Sequence, residues 1–449
     1  MTVWEYRRQT LAVIPDAFIF LAMGMNLAYG MGYNYYEYLV PLHFRFSWFI
    51  GVIVGSLCSA VLMKYILKRH FVLLSCALVI MAGIFNIVWP YELNLVIAAR
   101  YLNGIGSGLI IVPFIVHCSE TIVTKKRGYA LGLEQFCIAV GIFLQATYID
   151  LWNGAIGISA TCAHGIFCLC FGLIALGCAI LVIESPIFYI RQDNTSAALD
   201  VLTRLKLPSV LSDEKKELLE EHKNYVFKNE FLGLSGSLVH GLGPLLRLVL
   251  YRLVLAFTFS ILYNIELRTA SRYGVTTGFQ WPITIALLFR ILGVFGGMTM
   301  SDPIGRKIIG LVGLLVMSGI GIGITVLFDT NIVYTATYDL SVACTLLVLM
   351  QFFAGLYAPT STIYLSEAFP MLVKPYFIAI CVCLENAVQI ISIFIFRYNT
   401  QALTSFNIFN CAYIFCCFVL FLITIPETKL TTLTEAQDRF RVWMHLRSW

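Results

Sequence analysis

Charged side chains are scarce in this chain. Asp, Glu, Lys and Arg make up 12% of its 449 residues, hydrophobic residues make up 59%, and the mean hydropathy is +0.84. Soluble globular domains carry about twice that charged fraction, roughly 25%. The composition therefore excludes a soluble protein of this length and indicates one that spans a membrane.

The sequence also lacks the signatures of an enzyme or a metalloprotein. Its seven histidines are scattered, and it contains no catalytic triad order, phosphate-binding loop or zinc motif. The fourteen cysteines lie almost wholly within apolar runs, and none stands at a metal-ligand spacing with histidine. We therefore expect no enzymatic activity, no cofactor and no metal. The net charge of +5 is explained by membrane topology, so no nucleic-acid partner is predicted.

Twelve apolar runs are each long enough to cross a bilayer, whose hydrocarbon core of about 30 Å needs about 20 helical residues. Their approximate bounds are 11–33, 46–66, 70–90, 94–118, 128–150, 160–183, 247–267, 280–300, 307–328, 340–366, 376–397 and 404–425. Because irregular backbone cannot face lipid, each run is predicted to be a helix. The sequence therefore predicts an all-α polytopic membrane protein.

One long polar interruption divides these runs into two sets of six. The predicted domains are a first six-helix bundle (1–184), a cytosolic loop with short helices (185–246), a second six-helix bundle (247–425) and a cytosolic tail (426–449). A helix is expected in the loop at 213–228, with Ser212 as its N-cap. The alternating charges of the loop fit either a simple solvated face or a bundle that latches the molecule on its cytosolic side.

Basic residues indicate the orientation of the chain. Most of the 30 Lys and Arg residues fall on the side that carries both termini, and those assigned to the other side are Arg45, Arg268, Arg272 and Arg397. By the positive-inside rule, both termini are expected in the cytosol. We expect an integral protein of the plasma membrane that contacts lipid and a small-molecule solute, and a monomer.

The two halves of the chain echo each other at the predicted cytosolic ends of their helices. Glu120 precedes Arg127 by seven residues, and Glu367 precedes Lys374 by seven. An acid and a base so placed on paired helices suit an ion-pair latch that forms in one conformation and breaks in another. Two six-helix repeats with a site at their interface are the architecture of alternating-access carriers.

These residues belong to a series of motifs through which the chain resembles the sugar porter family of the major facilitator superfamily over nearly its whole length. The matching pieces are Arg100 with Gly104 and Gly106, Glu120 with Arg127 and Gly128, Gln135 with Gly141, Glu184 with Ser185 and Pro186, Asp302 with Gly305, Arg306 and Lys307, Glu367 with Pro370, and Pro426 with Glu427, Thr428 and Lys429. The resemblance implies the major facilitator fold, with transport of a small polar solute such as a sugar by alternating access. It also implies gating roles for Arg100, Glu120, Arg127, Glu184, Asp302, Arg306, Glu367 and Lys374.

The chain departs from the family pattern at the expected solute site. Val254 and Leu255 stand where sugar porters carry paired glutamines, and Thr362 replaces a tryptophan that stacks on the sugar. Arg290 and Glu385 replace asparagines that line the site. The candidate substrate-binding residues are Gln135, Glu134, Arg290, Thr362, Glu385, Gln389, Ser260 and Asn264.

A second departure concerns the turn after the second apolar run. In the first-half counterpart of the Asp302 motif, Lys64 replaces the acid and Leu67 replaces the glycine. The charge network of that turn is therefore expected to be altered.

Arg290 and Glu385 are the most informative charges in the sequence. Each lies about a dozen residues from a cytosolic marker, which places it about 16–18 Å deep at 1.5 Å per helical residue. A charge at that depth costs several kcal/mol unless it is paired or faces water or solute. The two residues therefore either line the central cavity and set the charge of the solute, or form a buried pair that fixes helix packing.

The sequence favours a facilitative carrier but leaves other functions open. Proton-coupled family members place an acid in the first span opposite the arginine that corresponds to Arg100, and the matching stretch 28–32 contains none. The guanidinium of Arg290 and the carboxylate of Glu385 suit an organic ion or a zwitterion as an alternative solute. The lost glutamines and the altered Lys64 turn fit a further alternative, a protein that no longer transports and acts as a sensor or scaffold.

Overall fold

The computed structural model describes residues 6–34, 40–151, 157–210, 212–274, 281–329, 337–398 and 402–445. Within these ranges the secondary structure is helical, without strands, and twelve helical stretches are long and apolar enough to cross a membrane. Hydrogen bonds inside each helix satisfy the backbone groups that lipid cannot satisfy. The predicted all-α fold with twelve transmembrane helices is confirmed.

The helices fall into two sequential sets joined by a polar segment. The first set is α1 (Arg7–Leu11), α2 (Ile14–Gly30), α3 (Leu42–Leu62), α4 (Lys68–Val88), α5 (Leu93–Thr121), α6 (Arg127–Asp150) and α7 (Ala160–Cys178). The polar segment contains α8 (Pro186–Ile190), α9 (Thr195–Leu205) and the first part of α10 (Asp213–Thr258). The second set is the rest of α10 with α11 (Ile261–Gly274), α12 (Trp281–Met300), α13 (Arg306–Asp329), α14 (Thr337–Glu367), α15 (Lys374–Tyr398) and α16 (Ala402–Thr424), and it is followed by α17 (Leu433–Arg441). We call α2–α7 the first half and the membrane-spanning part of α10–α16 the second half.

Within each half, glycines allow neighbouring helices to approach closely. In the first half α3 packs on α5, and in the second half α12 packs on α14. A Cβ atom at Gly104 would lie 2.3 Å from the carbonyl oxygen of Trp48, and one at Gly355 would lie 2.3 Å from that of Arg290. Both distances are shorter than any real contact, so only glycine permits this packing.

The halves meet along matched helices, with α3 packed on α15 and α6 packed on α12 and α14. The described ends of the chain, Tyr6 and His445, both lie at one end of this interface. The Tyr6 ring contacts Lys126 next to α6, and the His445 carbonyl accepts a hydrogen bond from Lys307 on α13. We call this end of the molecule the terminal face and the other end the opposite face.

The polar segment forms helices that cover the terminal face. The expected loop helix begins at Asp213 with Ser212 at the N-cap position, as predicted, although the Ser212 side chain makes no capping hydrogen bond. The helix also continues to Thr258, and its one residue with non-helical dihedral angles is Gly233, with φ of 67°. Glycine adopts such an angle without the strain that a side chain would add. The polar segment and the seventh span therefore belong to two helical stretches that join at a kink at Gly233, and we call the two together the bent helix α10.

Candidate functional site

An enclosed cavity of about 40 Å³ lies between the two halves near their centre. The polar and aromatic residues that line it include Trp48, Gln135, Phe259, Arg290, Glu385 and Gln389. One water molecule takes about 30 Å³, whereas cavities that hold small ligands measure about 300–1,000 Å³. The structure therefore has a polar centre that is closed around little more than water.

Arg252 organises the charges beside this cavity. Its guanidinium donates from Nε to Glu385 Oε2 at 2.6 Å and from Nη2 to Glu134 Oε1 at 3.0 Å. Its third nitrogen, Nη1, donates to Thr362 Oγ1 at 3.1 Å, and that hydroxyl donates to Glu134 Oε2 at 2.6 Å. Each of the three guanidinium nitrogens thus donates a hydrogen bond, while the Arg252 residue is only 1% exposed.

This cluster joins the two halves in the middle of the membrane. Glu134 lies on α6 of the first half, whereas Arg252, Thr362 and Glu385 lie on α10, α14 and α15 of the second. Removing one partner of a buried ion pair costs about 3–5 kcal/mol, since the remaining charge stays buried without compensation. The contact between Glu134 and Arg252 therefore favours the conformation in which α6 of the first half stays packed against the second half at the centre of the molecule.

The sequence interpretation missed Arg252 because it assigned this residue to the end of the charged loop. The available signal was its position inside the apolar run 247–267, where a basic residue needs a partner. Its pairing with Glu134 could not be found from spacing, because the two residues are 118 positions apart.

Arg290 and Glu385 line the same cavity but are bonded to different partners. Arg290 Nη1 donates to Gln351 Oε1 at 2.8 Å, and its guanidinium lies 5.5 Å from the centre of the Phe259 ring. Glu385 is instead bound by Arg252. Among the described residues Arg290 and Glu385 therefore make no direct ion pair with each other, and both interpretations of their role stay predictions.

Two glutamines supply neutral polar groups to the cavity. Gln135 donates from Nε2 to Glu134 Oε1 at 3.2 Å. Gln389 donates from Nε2 to the carbonyl oxygens of Ala256 and Phe259 at 3.1 and 3.0 Å. The Oε1 atom of Gln389 is buried without a hydrogen-bond partner among the described residues. A buried acceptor in this state suits a donor group on a solute.

Ser260 and Asn264, both predicted to bind substrate, lie away from the cavity. Ser260 Oγ accepts a hydrogen bond from the Tyr263 N–H at 3.2 Å at the start of α11. Asn264 Oδ1 accepts one from the Tyr33 hydroxyl at 3.0 Å, which ties the second half to the first. Arg268 adds a bond of 2.7 Å to the Gly32 carbonyl. These contacts close the opposite face.

The terminal face is closed by groups that reach from one half to the other. Glu367 accepts hydrogen bonds from Arg127 at 3.1 Å and from Arg306 at 2.8 Å, and the glutamate is fully buried. Asp302 accepts from the backbone N–H groups of Gly128 and Tyr129 at 3.1 and 3.0 Å.

Lys374 crosses between the halves in the other direction. Its Nζ atom donates to Ser119 Oγ at 2.6 Å rather than to a carboxylate. This base of the second half therefore meets a neutral group, whereas Arg127 of the first half meets Glu367.

The first half has its own charge network around Lys68. The Lys68 ammonium binds Glu120 at 3.1 Å and Glu184 at 3.0 Å, and its backbone N–H donates to Glu184 at 2.7 Å. Burial alone would raise the pKa of Glu184, but Lys68 holds it below its ordinary value of 4.5. The network that Lys64 was expected to alter therefore persists, with Lys68 as its base.

Arg100 does not take part in either set of contacts between the halves. Its guanidinium donates to the carbonyl oxygens of Phe44 at 2.8 Å and Asn26 at 3.1 Å, and lies 4.6 Å from the Phe44 ring centre. All these groups belong to the first half. The predicted gating role of Arg100 is therefore not supported by a direct contact across the interface, and the residue instead ties α2, α3 and α5 together.

Comparisons with known proteins agree with this architecture. The family model of sugar (and other) transporters matches residues 19–440. The chain is 26% identical over 372 residues to the major facilitator-type transporter ecdD of Aspergillus rugulosus, covering 77% of this chain and 67% of that protein. It is 25% identical over 424 residues to the arabinose-proton symporter of Bacillus subtilis strain 168, covering 88% and 85%.

Solved structures show the same fold. The proton:xylose symporter XylE bound to 6-bromo-6-deoxy-D-glucose superposes with a TM-score of 0.78 at 17% identity, covering 98% of this chain and all of that one. A partially occluded inward-open form of XylE from E. coli gives a TM-score of 0.67 at 16% identity, covering 94% and 97%. Because the family model covers nearly the whole chain, the protein is a secondary transporter of the sugar (and other) transporter family, with the major facilitator fold.

Proposed function

We propose that this protein carries a small uncharged polyhydroxy solute, a sugar or polyol, by alternating access. The observation that supports this proposal most is the balance of charge at the centre. Two glutamates face two arginines, Arg252 is bonded to both acids, and the neutral Gln389 Oε1 is buried without a hydrogen-bond partner among the described residues. A hydroxyl group can satisfy that acceptor without adding a charge to a neutral site.

The names of two relatives favour the same class of solute. One curated relative is an arabinose-proton symporter, and the structural relative XylE is a proton:xylose symporter. Pentoses are uncharged and present hydroxyl donors and acceptors around a ring, which suits amide groups such as those of Gln135 and Gln389.

The contact between Glu134 and Arg252 is, in this proposal, the inner part of the gate at the terminal face. An opening of that face must separate α6 from α10 and α14, and this breaks both the Glu134–Arg252 pair and the Arg127–Glu367 pair. The closed state then depends on contacts that the open state lacks, which is the requirement for a gate.

The terminal face is proposed to be cytosolic and the transport facilitative. The positive-inside rule supports the orientation, because most Lys and Arg residues lie at that face. The facilitative mode is supported by Arg100, whose guanidinium binds backbone carbonyl oxygens and, among the described residues, no carboxylate. The plasma membrane stays the expected location.

Uptake into proteoliposomes tests the proposed solute class. A panel should contain pentoses, hexoses, polyols, amino acids and organic cations, each radiolabelled. We expect uptake of at least one neutral member without an imposed proton gradient. A Gln389→Leu substitution should raise the KM for that solute about fivefold, since one hydrogen bond to a neutral group contributes about 1 kcal/mol. Substitution of the exposed Gln192 by Leu is the matched control. Uptake confined to ions would refute the proposal.

A zwitterion is the second candidate, and one observation favours it. Arg290 lines the cavity, and within the described chain its bonded partner is the neutral Gln351 rather than a carboxylate. A solute carboxylate could therefore bind the guanidinium. Amino-acid uptake that is abolished by Arg290→Gln, with no uptake of sugars, would identify this candidate instead.

A further inference from the structure

The bent helix α10 carries an apolar stripe that no other described part of the protein covers. Its members are four residues apart on each side of the kink at Gly233, so each set shares one side of its own helical stretch. They are Phe227, Phe231, Leu234, Leu238, Leu242 and Leu246, which are 71%, 85%, 61%, 40%, 51% and 62% exposed. We call them the α10 stripe. An apolar surface of this extent marks a contact with a membrane or another protein.

The other side of the same segment is fixed to the terminal face. Asn229 Oδ1 accepts a hydrogen bond from the Met371 N–H at 2.9 Å, and the position of Gly241 lies against the Phe377 ring, which a Cβ atom there would approach to 2.5 Å. Met371 and Phe377 flank the start of α15. The segment from 229 to 241 therefore stays beside the first turn of α15, and the kink at Gly233 lies between the two contacts.

The α10 stripe continues directly into the membrane-spanning part of the helix. Leu242 and Leu246 are exposed on the first turns that pack against α15, where the surface of a transmembrane helix faces lipid. The rings of Phe227 and Phe231 stack with centres 6.4 Å apart on the far side of the bend. The exposed residue Trp443 of the tail lies beside Arg247, which is next to Leu246 of the stripe in sequence. Tryptophan is enriched where the apolar core of a membrane meets the headgroups.

We propose that the α10 stripe is an interfacial membrane anchor, in which Phe227 and Phe231 insert at the headgroup and acyl-chain boundary of the leaflet at the terminal face. The continuity of the stripe with the lipid-facing surface identifies phospholipid, rather than a second copy of the chain or a soluble protein, as the occupant. The bend at Gly233 lets α10 turn from the membrane normal towards the membrane plane. The anchor holds the polar segment against the terminal face from the lipid side.

Site-specific photo-crosslinking in liposomes tests this inference. The full chain is reconstituted in palmitoyl-oleoyl phosphatidylcholine with p-benzoylphenylalanine at position 227 or 231. The matched control carries the same probe at Glu221, an exposed residue of the same helix that lies off the stripe. We expect adducts of one phospholipid mass at 227 and 231, in yields several-fold above the control. Equal yields at all three positions, or a crosslink to a second chain in place of lipid, would overturn the proposal.

A second measurement needs no substitution and so cannot fail through misfolding. The wild-type chain is reconstituted with a phosphatidylcholine that carries a photoreactive group on its acyl chain, and labelled peptides are identified by mass spectrometry. Label in the peptide that contains Phe227 and Phe231 supports the anchor. Label in the transmembrane helices with none in that peptide contradicts it.

Discussion

The two halves build the same charge network at the terminal face, yet only one of them uses it to hold the other half. In the first half, Lys68 binds Glu120 with its side chain and Glu184 with its backbone N–H. In the second half, Arg306 binds Glu367 and Glu427 in the same two ways. The first network stays within its own half.

The second network reaches across the interface at two points. Glu367 also binds Arg127 of the first half, whereas Glu120 has no equivalent bond to Lys374, which binds Ser119 instead. Asp302 caps the start of α6 through Gly128 and Tyr129. In the charge networks at the terminal face, the contacts that cross between the halves are therefore made by two acids of the second half, Glu367 and Asp302.

The missing counterpart of the Asp302 contact is explained by two changes in sequence. The first-half position that corresponds to Asp302 is Lys64, which cannot accept a hydrogen bond and is exposed. The position that corresponds to Gly128 is Pro375, which has no N–H to donate. The acceptor and one of its two donors are therefore lost, and the residue that carries the second donor, Tyr376, is exposed.

The largest difference between the networks is expected from substitution of their central glutamates. Glu367→Gln removes the charge that binds both Arg127 and Arg306, and should lower the free energy of unfolding by about 3–5 kcal/mol, the cost of leaving buried charges unpaired. Glu120→Gln is the matched variant and should cost less, since Lys68 keeps its bond to Glu184. Thermal unfolding in one detergent measures both. Equal losses of stability would show that the Glu367 and Glu120 networks contribute equally to the free energy of unfolding, contrary to this prediction.

The positions of these residues could be predicted from the sequence, but their partners could not. Motif spacing placed Glu120, Arg127, Glu367 and Lys374 at the ends of helices, because helix length and charge are local properties. That Arg127 binds Glu367 depends on how two bundles pack, and the two residues are 240 positions apart.

The central site shows the same limit. Gln135, Arg290, Glu385 and Gln389 were among the predicted residues and line the cavity; the depth of Arg290 and Glu385 in apolar runs had already marked those two. Arg252 was missed, although it binds two of the predicted residues, Glu134 and Glu385, because it stands close to a charged loop in sequence.

Removal of the Asp302 contact with α6, which has no counterpart in the first half, should have the next largest effect. Asp302→Ala deletes the acceptor for two backbone N–H groups at the start of α6, and the loss of such a cap costs about 1–2 kcal/mol. The terminal face should open more often, because the contact crosses the halves. Hydrogen exchange at Gly128 and Tyr129 measures this opening. Lys64→Ala, at the corresponding first-half position, is the control and should leave hydrogen exchange at the starts of α6 and α15 unchanged.

The comparison can also be tested by restoring the missing contact. The double variant Lys64→Asp, Pro375→Ala supplies both an acceptor and a donor at the first-half position. It should stabilise the closed state by about 0.5–1 kcal/mol, as a charged helix cap at an exposed site does. Lys64→Asp alone should gain less, because Pro375 still lacks an N–H. Protection of the first turn of α15 from hydrogen exchange reports the result, and equal protection in the single and double variants would contradict this account.

The smallest expected effect is that acid acts on the two networks with opposite sign. Attraction by Lys68 outweighs burial and lowers the pKa of Glu184 below 4.5, so the stability that this ionised group contributes is present above pH 4.5 and is lost as the pH falls through the lower value. Burial raises the pKa of Asp302 above its ordinary 3.8, despite the Tyr129 and Gly128 N–H groups and Arg306. Protonation of Asp302 on acidification therefore favours the folded state.

Unfolding temperatures measured between pH 6 and pH 3.5 separate the two contributions. The wild type loses stability through Glu184 and regains part of it through Asp302. Glu184→Gln should therefore flatten the fall in unfolding temperature on acidification, because the first-half contribution no longer titrates. Asp302→Asn should make the same fall steeper, because the compensating protonation is removed. Each variant is compared with its own value at pH 6, so a general loss of stability does not affect the sign. If both variants change the dependence of unfolding temperature on pH in the same direction, the pKa values of Glu184 and Asp302 are not shifted in opposite directions.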